Sequence, residues 1–232
     1  MSNERFQFKQ FAVRQDQCAM KVGTDGVLLG AWARGGRRIL DVGTGTGLIA
    51  LMMAQRHAGS SVVALEIDPA ACRQAEANVA ASPFAGRVSV REVALQQFEA
   101  AERFDSIVSN PPYFAEGLRS ADARRSMARH ADALPHDALC KSAYRLLADE
   151  GEMSVVLPVE SVGSFSAAAV IAGFYLRKKH LIKTVARKSP KRCLMAWVKR
   201  RPERLDEQTL TLLDAEGEMS EWYANLTGDF YL

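Results

Sequence analysis

The chain has 232 residues, 48% of them hydrophobic and 25% charged, with a net charge of only +3, a size and composition that suit one domain with a substantial core. No apolar run approaches the roughly 20 residues that cross a bilayer, and the polar start Met1-Ser2-Asn3-Glu4-Arg5-Phe6 lacks the core of a signal peptide, so a cytoplasmic protein with no membrane contact is expected. Cys18, Cys72, Cys140 and Cys193 show no paired spacing and His57, His130, His136 and His180 no ligand cluster, so neither a disulfide framework nor a metal site is expected.

Phe6 to Val13 alternates apolar and polar residues and reads as a strand of a small hairpin leading to Ala19-Met20-Lys21-Val22. Gly23-Thr24-Asp25-Gly26 then precedes a short helix ending near Trp32, with Thr24 or Asp25 as its cap. Arg38 to Val42 is a short apolar strand, Gly43-Thr44-Gly45-Thr46-Gly47 a turn, and Leu48 to Arg56 a helix. That order brings backbone close to a ligand and aims helix N-terminal N–H groups at it. A dinucleotide fingerprint has its third glycine one place later, where this chain has Leu48. The G-x-G-x-G form suits S-adenosylmethionine better than a nicotinamide cofactor.

A second buried strand, Ser61 to Glu66, ends on an acid, and Asp68-Pro69 caps and opens a helix reaching about Ala81. Glu66 lies about twenty residues after the glycine turn, the position from which a carboxylate reaches ribose hydroxyls. Arg87 to Arg91 forms a third strand, and Glu92 to Glu102 connects it to a fourth, Phe104 to Ser109. Strands alternating with helices imply a Rossmann-like, doubly wound parallel sheet, so the fourth strand ends on the same carboxyl edge as the glycine turn.

That fourth strand stops at Asn110-Pro111-Pro112-Tyr113, because prolines cannot donate to a sheet ladder. The Asn110 side-chain oxygen and the Pro111 carbonyl can together accept both hydrogens of a flat exocyclic amino group. Those two hydrogen bonds draw the nitrogen lone pair out of conjugation and make it a usable nucleophile. Tyr113 offers a face for stacking a planar ring, a contact worth roughly 1–3 kcal/mol per base in nucleic-acid binders.

Ala115 to Asp132 is polar and basic, carrying Arg119, Arg124, Arg125, Arg129 and His130, and reads as a loop over the site. A helix over Leu134 to Leu147, a strand over Gly151 to Leu157 and a helix over Val159 to Ala172 follow. Strands near Tyr175 to Val185 and Leu194 to Val198 flank a basic turn with Arg187, Lys188, Lys191 and Arg192, and this antiparallel hairpin completes a seven-stranded sheet. Residues 200–232 form a C-terminal tail. From Arg177 to Arg204 the chain carries twelve bases against one acid, Glu203, a one-signed cluster that marks contact with a polyanion.

With the glycine turn, Glu66 and Asn110-Pro111-Pro112-Tyr113 in that order, the chain resembles class I S-adenosylmethionine-dependent methyltransferases acting on amino nitrogens. Within them it resembles the bacterial tRNA(Val) adenine-N6 methyltransferases, which modify the adenine immediately 3′ of the anticodon. The markers are Lys21 to Ala31, Ile39 to Leu48, Ser109 to Phe114, Ala128-Arg129-His130 and the closing Asp229-Phe230-Tyr231-Leu232. The resemblance implies a single domain in which residues 1–36 cover the cofactor site. It implies S-adenosylmethionine contacts from Lys21, Thr24, Asp41, Gly43, Gly45, Gly47, Glu66, Ile67, Ala94 and Leu95. Asp41 and the glycine turn would meet the methionine portion, Glu66 the ribose and Ala94-Leu95 the adenine edge. Related enzymes commonly carry an Asp where this chain has Ala94, so that hydrogen bond to the adenine amino group is absent here. The implied partner is the anticodon stem-loop of a tRNA, with no protein partner evident.

Four alternatives differ from this reading, and one of them, methylation of an amino group in rRNA or DNA, changes only the nucleic acid. Glutamine methylation of a release factor uses the same chemistry, but those enzymes typically have a helical domain ahead of the sheet, and only about forty residues precede Ile39. A non-catalytic RNA-binding or folding factor would not need Asn110 and Tyr113. A nicotinamide oxidoreductase is disfavoured by Leu48 and by the lack of a placed acid–base pair.

Overall fold

The computed structural model describes residues 4–18, 21–111 and 134–232. A short hairpin opens it, β1 (Arg5–Gln7) pairing antiparallel with β2 (Ala12–Arg14) so that Arg5 faces Arg14. The stretch expected as one strand instead folds on itself between Phe8 and Phe11, whose N–H and C=O close the turn at 2.8 Å. Both phenylalanines are buried and stack on one another, with Tyr231 of the tail beside Phe8. Burying two aromatic rings from the two ends of the turn outweighs continuing an exposed strand. Ala19 and Met20 lie outside the described residues.

The helix α1 (Thr24–Trp32) follows; its N-cap is Gly23, with no side-chain capping bond, so neither Thr24 nor Asp25 caps it as expected. Then come β3 (Arg38–Val42), α2 (Leu48–Arg56), β4 (Ser61–Glu66), α3 (Pro69–Ala80), β5 (Val88–Glu92) and β6 (Phe104–Ser109). Asp68 caps α3 as its sequence predicts, its Oδ1 accepting from the Ala70 N–H at 2.8 Å. After the undescribed segment come α4 (His136–Leu146), β7 (Leu147–Pro158), a 3-10 turn at Val159–Ser161, and α5 (Val162–Ile171). The chain closes with β8 (Tyr175–Lys183), β9 (Arg192–Val198), β10 (Asp206–Thr211) and α6 (Glu221–Thr227).

The main sheet runs β10-β8-β9-β7-β6-β3-β4-β5. Only β9 opposes its neighbours, pairing antiparallel with both β7 and β8. Seven of these strands are those expected, including the final hairpin. The eighth, β10, comes from the tail and pairs in parallel with β8, Asp206 opposite Lys178. Its charged, weakly alternating sequence carries no strand signal of its own; pairing satisfies the otherwise open edge of β8.

One face of the sheet is covered by α1, α2, α6 and the hairpin, through Val27, Leu28, Leu51, Met52, Tyr223 and Phe230; α4 and α5 cover the other, through Leu139, Leu146 and Phe165. Gly30 permits the closest approach of α1 to α2, since a Cβ there would lie 2.7 Å from Met52 Sδ. Cys72, Cys140 and Cys193 are buried, and burial pushes the Cys140 thiol up to about 12 and that of Cys193 to about 11.

Candidate active site

In the register of β3 and β6, Val42 faces Ser109, so the next residues, Gly43 and Asn110, leave the sheet side by side at its carboxyl edge. Ser109 Oγ donates to the Val42 carbonyl at 2.9 Å and ties the two strand ends together. The N–H groups of Gly43 and Thr44 both donate to the Leu65 carbonyl of β4 at 2.9 Å, anchoring the turn on its other side. Gly43 and Gly45 take φ values of +69° and +56°, a left-handed conformation that side chains strain to adopt. A Cβ on Gly43 would meet nothing within 4 Å, so the turn faces open space.

Asp41 lies under this turn, fully buried. Its Oδ2 accepts from Thr44 Oγ1 at 2.5 Å and from the Ala50 N–H at 3.1 Å. Its Oδ1 has no hydrogen-bond partner among the described residues. Burial pushes the carboxyl up to about 7, against the Thr44 and Ala50 hydrogen bonds that lower it, while the Glu66 charge adds to the rise. A buried, unmet acceptor beside a glycine turn fits a cationic donor such as the ammonium of S-adenosylmethionine.

Glu66, at the end of β4, is fixed by three backbone N–H groups. Gly45 donates to its Oε2 at 2.8 Å, while Ile67 and Asp68 donate to Oε1 at 2.9 and 3.1 Å. A carboxylate has about four lone-pair sites, so capacity remains for hydroxyl donors. Ile67 beside it is 46% exposed, a large apolar side chain left open at this edge. The Val93 N–H donates to the Glu66 carbonyl at 3.0 Å and brings Ala94-Leu95 to the same corner, where Leu95 is buried.

The structure brings Asp41, the glycine turn, Glu66, Ile67 and Ala94-Leu95 together at one edge and also reveals a strap the sequence reading missed. Asn78 of α3 accepts the Arg14 N–H at 2.8 Å, while its Nδ2 donates to Arg14 and Thr46 carbonyls at 2.9 and 2.8 Å. Gln74, one turn earlier, accepts the Gln17 N–H at 2.7 Å. Two nearly inaccessible amides four residues apart on α3 were the available signal. Together they lay residues 14–18 across the glycine turn, and Cys18 Sγ lies 3.6 Å from where a Gly45 Cβ would stand. Lys21 and Thr24 are both exposed.

Asn110 is partly buried and Pro111 buried. Pro112, Tyr113, Arg119, Arg124, Arg125, Arg129 and His130 lie outside the described residues. The turn between β8 and β9 falls on the same edge as Asn110, because Arg192 of β9 faces Pro158 at the end of β7, which runs parallel to β6. Two strand spacings, about 10 Å, separate the two lines. Arg187, Lys188 and Lys191 are exposed on that turn, with no ion pair among the described residues. Arg192 is already engaged: its Nε donates to both Asp25 oxygens, at 2.8 and 2.6 Å.

The rest of the basic cluster is dispersed. Lys179 pairs with Glu207 at 2.6 Å and Lys178 lies over the Trp32 ring. Arg177, Lys199 and Arg200 sit at the amino edge beside Glu152, Asp149 and Glu150. The cluster that sequence shows as one run is therefore split between opposite edges of the sheet.

Comparison with known proteins agrees with this arrangement. The methyltransferase small domain family matches residues 22–163. The tRNA1(Val) (adenine(37)-N6)-methyltransferase of Bacteroides thetaiotaomicron is 46% identical over 235 residues, covering 100% of this chain and 99% of that protein. Its counterpart in Phocaeicola vulgatus is 47% identical over 234 residues, with 100% and 99% covered. Among solved structures, a predicted O-methyltransferase from Agrobacterium tumefaciens superposes with a TM-score of 0.69 at 20% identity, covering 89% of this chain and 96% of that one, a likeness of fold. With full-length identity of this order joined to a glycine turn, a strand-end acid and a strand-end Asn-Pro, the chain belongs to the tRNA1(Val) (adenine(37)-N6)-methyltransferase family.

Proposed function

We propose that this chain transfers the methyl group of S-adenosylmethionine to N6 of the adenine immediately 3′ of the anticodon in tRNA(Val). The observation that carries the reading is the pairing of β3 with β6, which sets Asn110 beside the glycine turn at one carboxyl edge. When bound, S-adenosylmethionine supplies a methyl group already activated by the positive charge on sulfur. Asp41 holds its amino-acid end beside the open face of the glycine turn, Glu66 its ribose, and Ile67 with Ala94-Leu95 flank the base.

Asn110 Oδ1 and the Pro111 carbonyl accept the two N6 hydrogens of the target adenine and turn its lone pair toward the methyl. Tyr113 stacks the ring and Pro112 keeps the segment extended before it. Such holding of two reactants in line accounts for most of the acceleration, since the methyl group is already activated. An anticodon loop lowers the cost of presenting the base, because its bases are already partly unpaired. Arg187, Lys188, Lys191 and the arginines 119, 124, 125 and 129 with His130 contact its phosphates.

Incubation with labelled S-adenosylmethionine and total tRNA from a strain lacking the enzyme tests this. Label recovered as N6-methyladenosine in a valine tRNA is the expected result. Label in another nucleoside or in a protein glutamine, or none in tRNA, would overturn it.

A further inference from the structure

We propose that Asp25 is a positioning residue that couples the cofactor site to the RNA-facing turn through Arg192; the inference rests on tRNA being the substrate. Asp25 sits in the first turn of α1, and its two oxygens grip Arg192 Nε at 2.8 and 2.6 Å. Arg192 Nη1 donates to the Lys191 carbonyl at 3.1 Å. The guanidinium is thereby held against the basic turn, and its remaining N–H groups, with no partner among the described residues, can be shared with a phosphate.

On the other side, Asp25 adjoins Gly26, whose added Cβ would stand 3.0 Å from Leu48 Cδ2, the residue that follows the last glycine of the turn. The far end of α1 is pinned as well, Trp32 Nε1 donating to His180 Nδ1 of β8 at 3.0 Å. A continuous chain of contacts thus runs from the glycine turn through Leu48, Gly26 and Asp25 to Arg192 and the β8–β9 turn. A ligand seated on the glycine turn therefore bears, through Leu48 and Gly26, on the carboxylate that aims Arg192. RNA then binds a preset fork and loses less freedom in doing so. Reciprocity requires that RNA tighten the cofactor site by the same factor.

The test measures S-adenosylhomocysteine affinity with and without tRNA(Val), and tRNA KM and kcat, for the wild type, Asp25→Asn, Arg192→Gln and the double variant. Wild-type methylation of the tRNA establishes the substrate independently of the coupling. The expected wild-type coupling is about fivefold or more. In Asp25→Asn it falls below about twofold and tRNA KM rises about fivefold, while kcat and S-adenosylhomocysteine affinity without tRNA stay within about twofold. The double variant is no worse than Arg192→Gln alone, as for two residues acting as one unit. Additive losses, unchanged coupling in Asp25→Asn, or no coupling in the wild type would each overturn the assignment.

Discussion

At the carboxyl edge of the sheet, Arg187, Lys188 and Lys191 stand exposed on the β8–β9 turn. At the amino edge, Arg38 meets Glu102 at 2.8 Å, Arg103 meets Asp149 at 2.9 Å, Arg177 meets Glu152 at 3.3 Å, and Arg200 meets Glu150. Even the amino-edge groove lined by Arg34, Arg201 and Arg204 also holds Asp149, Glu150 and Glu203. The difference lies in which acids other segments bring to each edge. Bases that meet no acid among the described residues, beside a buried polar site, make a surface for phosphates, whereas bases interleaved with acids hold strand ends together.

The largest break of this contrast is at the chemistry itself. Asn110→Ala is expected to lower kcat by at least about 100-fold, the scale on which loss of one oriented hydrogen-bonding group acts. Isothermal titration should still find S-adenosylhomocysteine bound within about twofold of wild type. Next in size, reversing Arg187, Lys188 and Lys191 to Glu should raise tRNA KM by about ten- to a hundredfold and flatten its salt dependence. The matching reversal of Arg201 and Arg204 should change KM by less than about twofold; equal losses at both edges would remove the distinction.

Asp41 sharpens the comparison through pH. With its carboxyl raised to about 7, the folded chain keeps a proton that the unfolded chain has lost above pH 3.8. The native state therefore binds more protons in that window, and stability falls as pH rises from about 4 to about 7, then levels. A cationic cofactor group favours the ionised carboxyl, so cofactor affinity should rise over the same approach to pH 7, by up to about tenfold per unit. Asp41→Asn should flatten both profiles, read by thermal melts and by titration. The smallest effect belongs to the amino edge, where Glu152 is 1% exposed. Arg177→Ala strips it of that partner and should cost about 1–3 kcal/mol, seen as a lower Tm with kcat/KM for tRNA within about twofold.

Much of the site was legible along the chain because its parts are local. Strand, glycine turn and helix occupy consecutive residues, Glu66 ends its strand, Asp68 caps its helix, and two prolines stop β6 after Asn110. The basic run misled in part, because linear neighbours such as Arg192 and Lys199 lie at opposite ends of one strand, β9 and its continuation. Arg192 is also held by Asp25 from 167 positions away, a contact no local pattern announces. Gln74 and Asn78 were passed over because a helix's polar residues are ordinarily exposed.

Sequence alone determined the alternation of strands and helices, the cofactor turn and the strand-end amide, since each depends on backbone preferences and side-chain periods within a few residues. Only the tertiary structure decided that the tail supplies an eighth strand, that two amides of α3 fasten the strap, and which bases meet an acid among the described residues. Those outcomes depend on pairings between segments far apart in the chain, where packing and charge compensation, not local propensity, set the result.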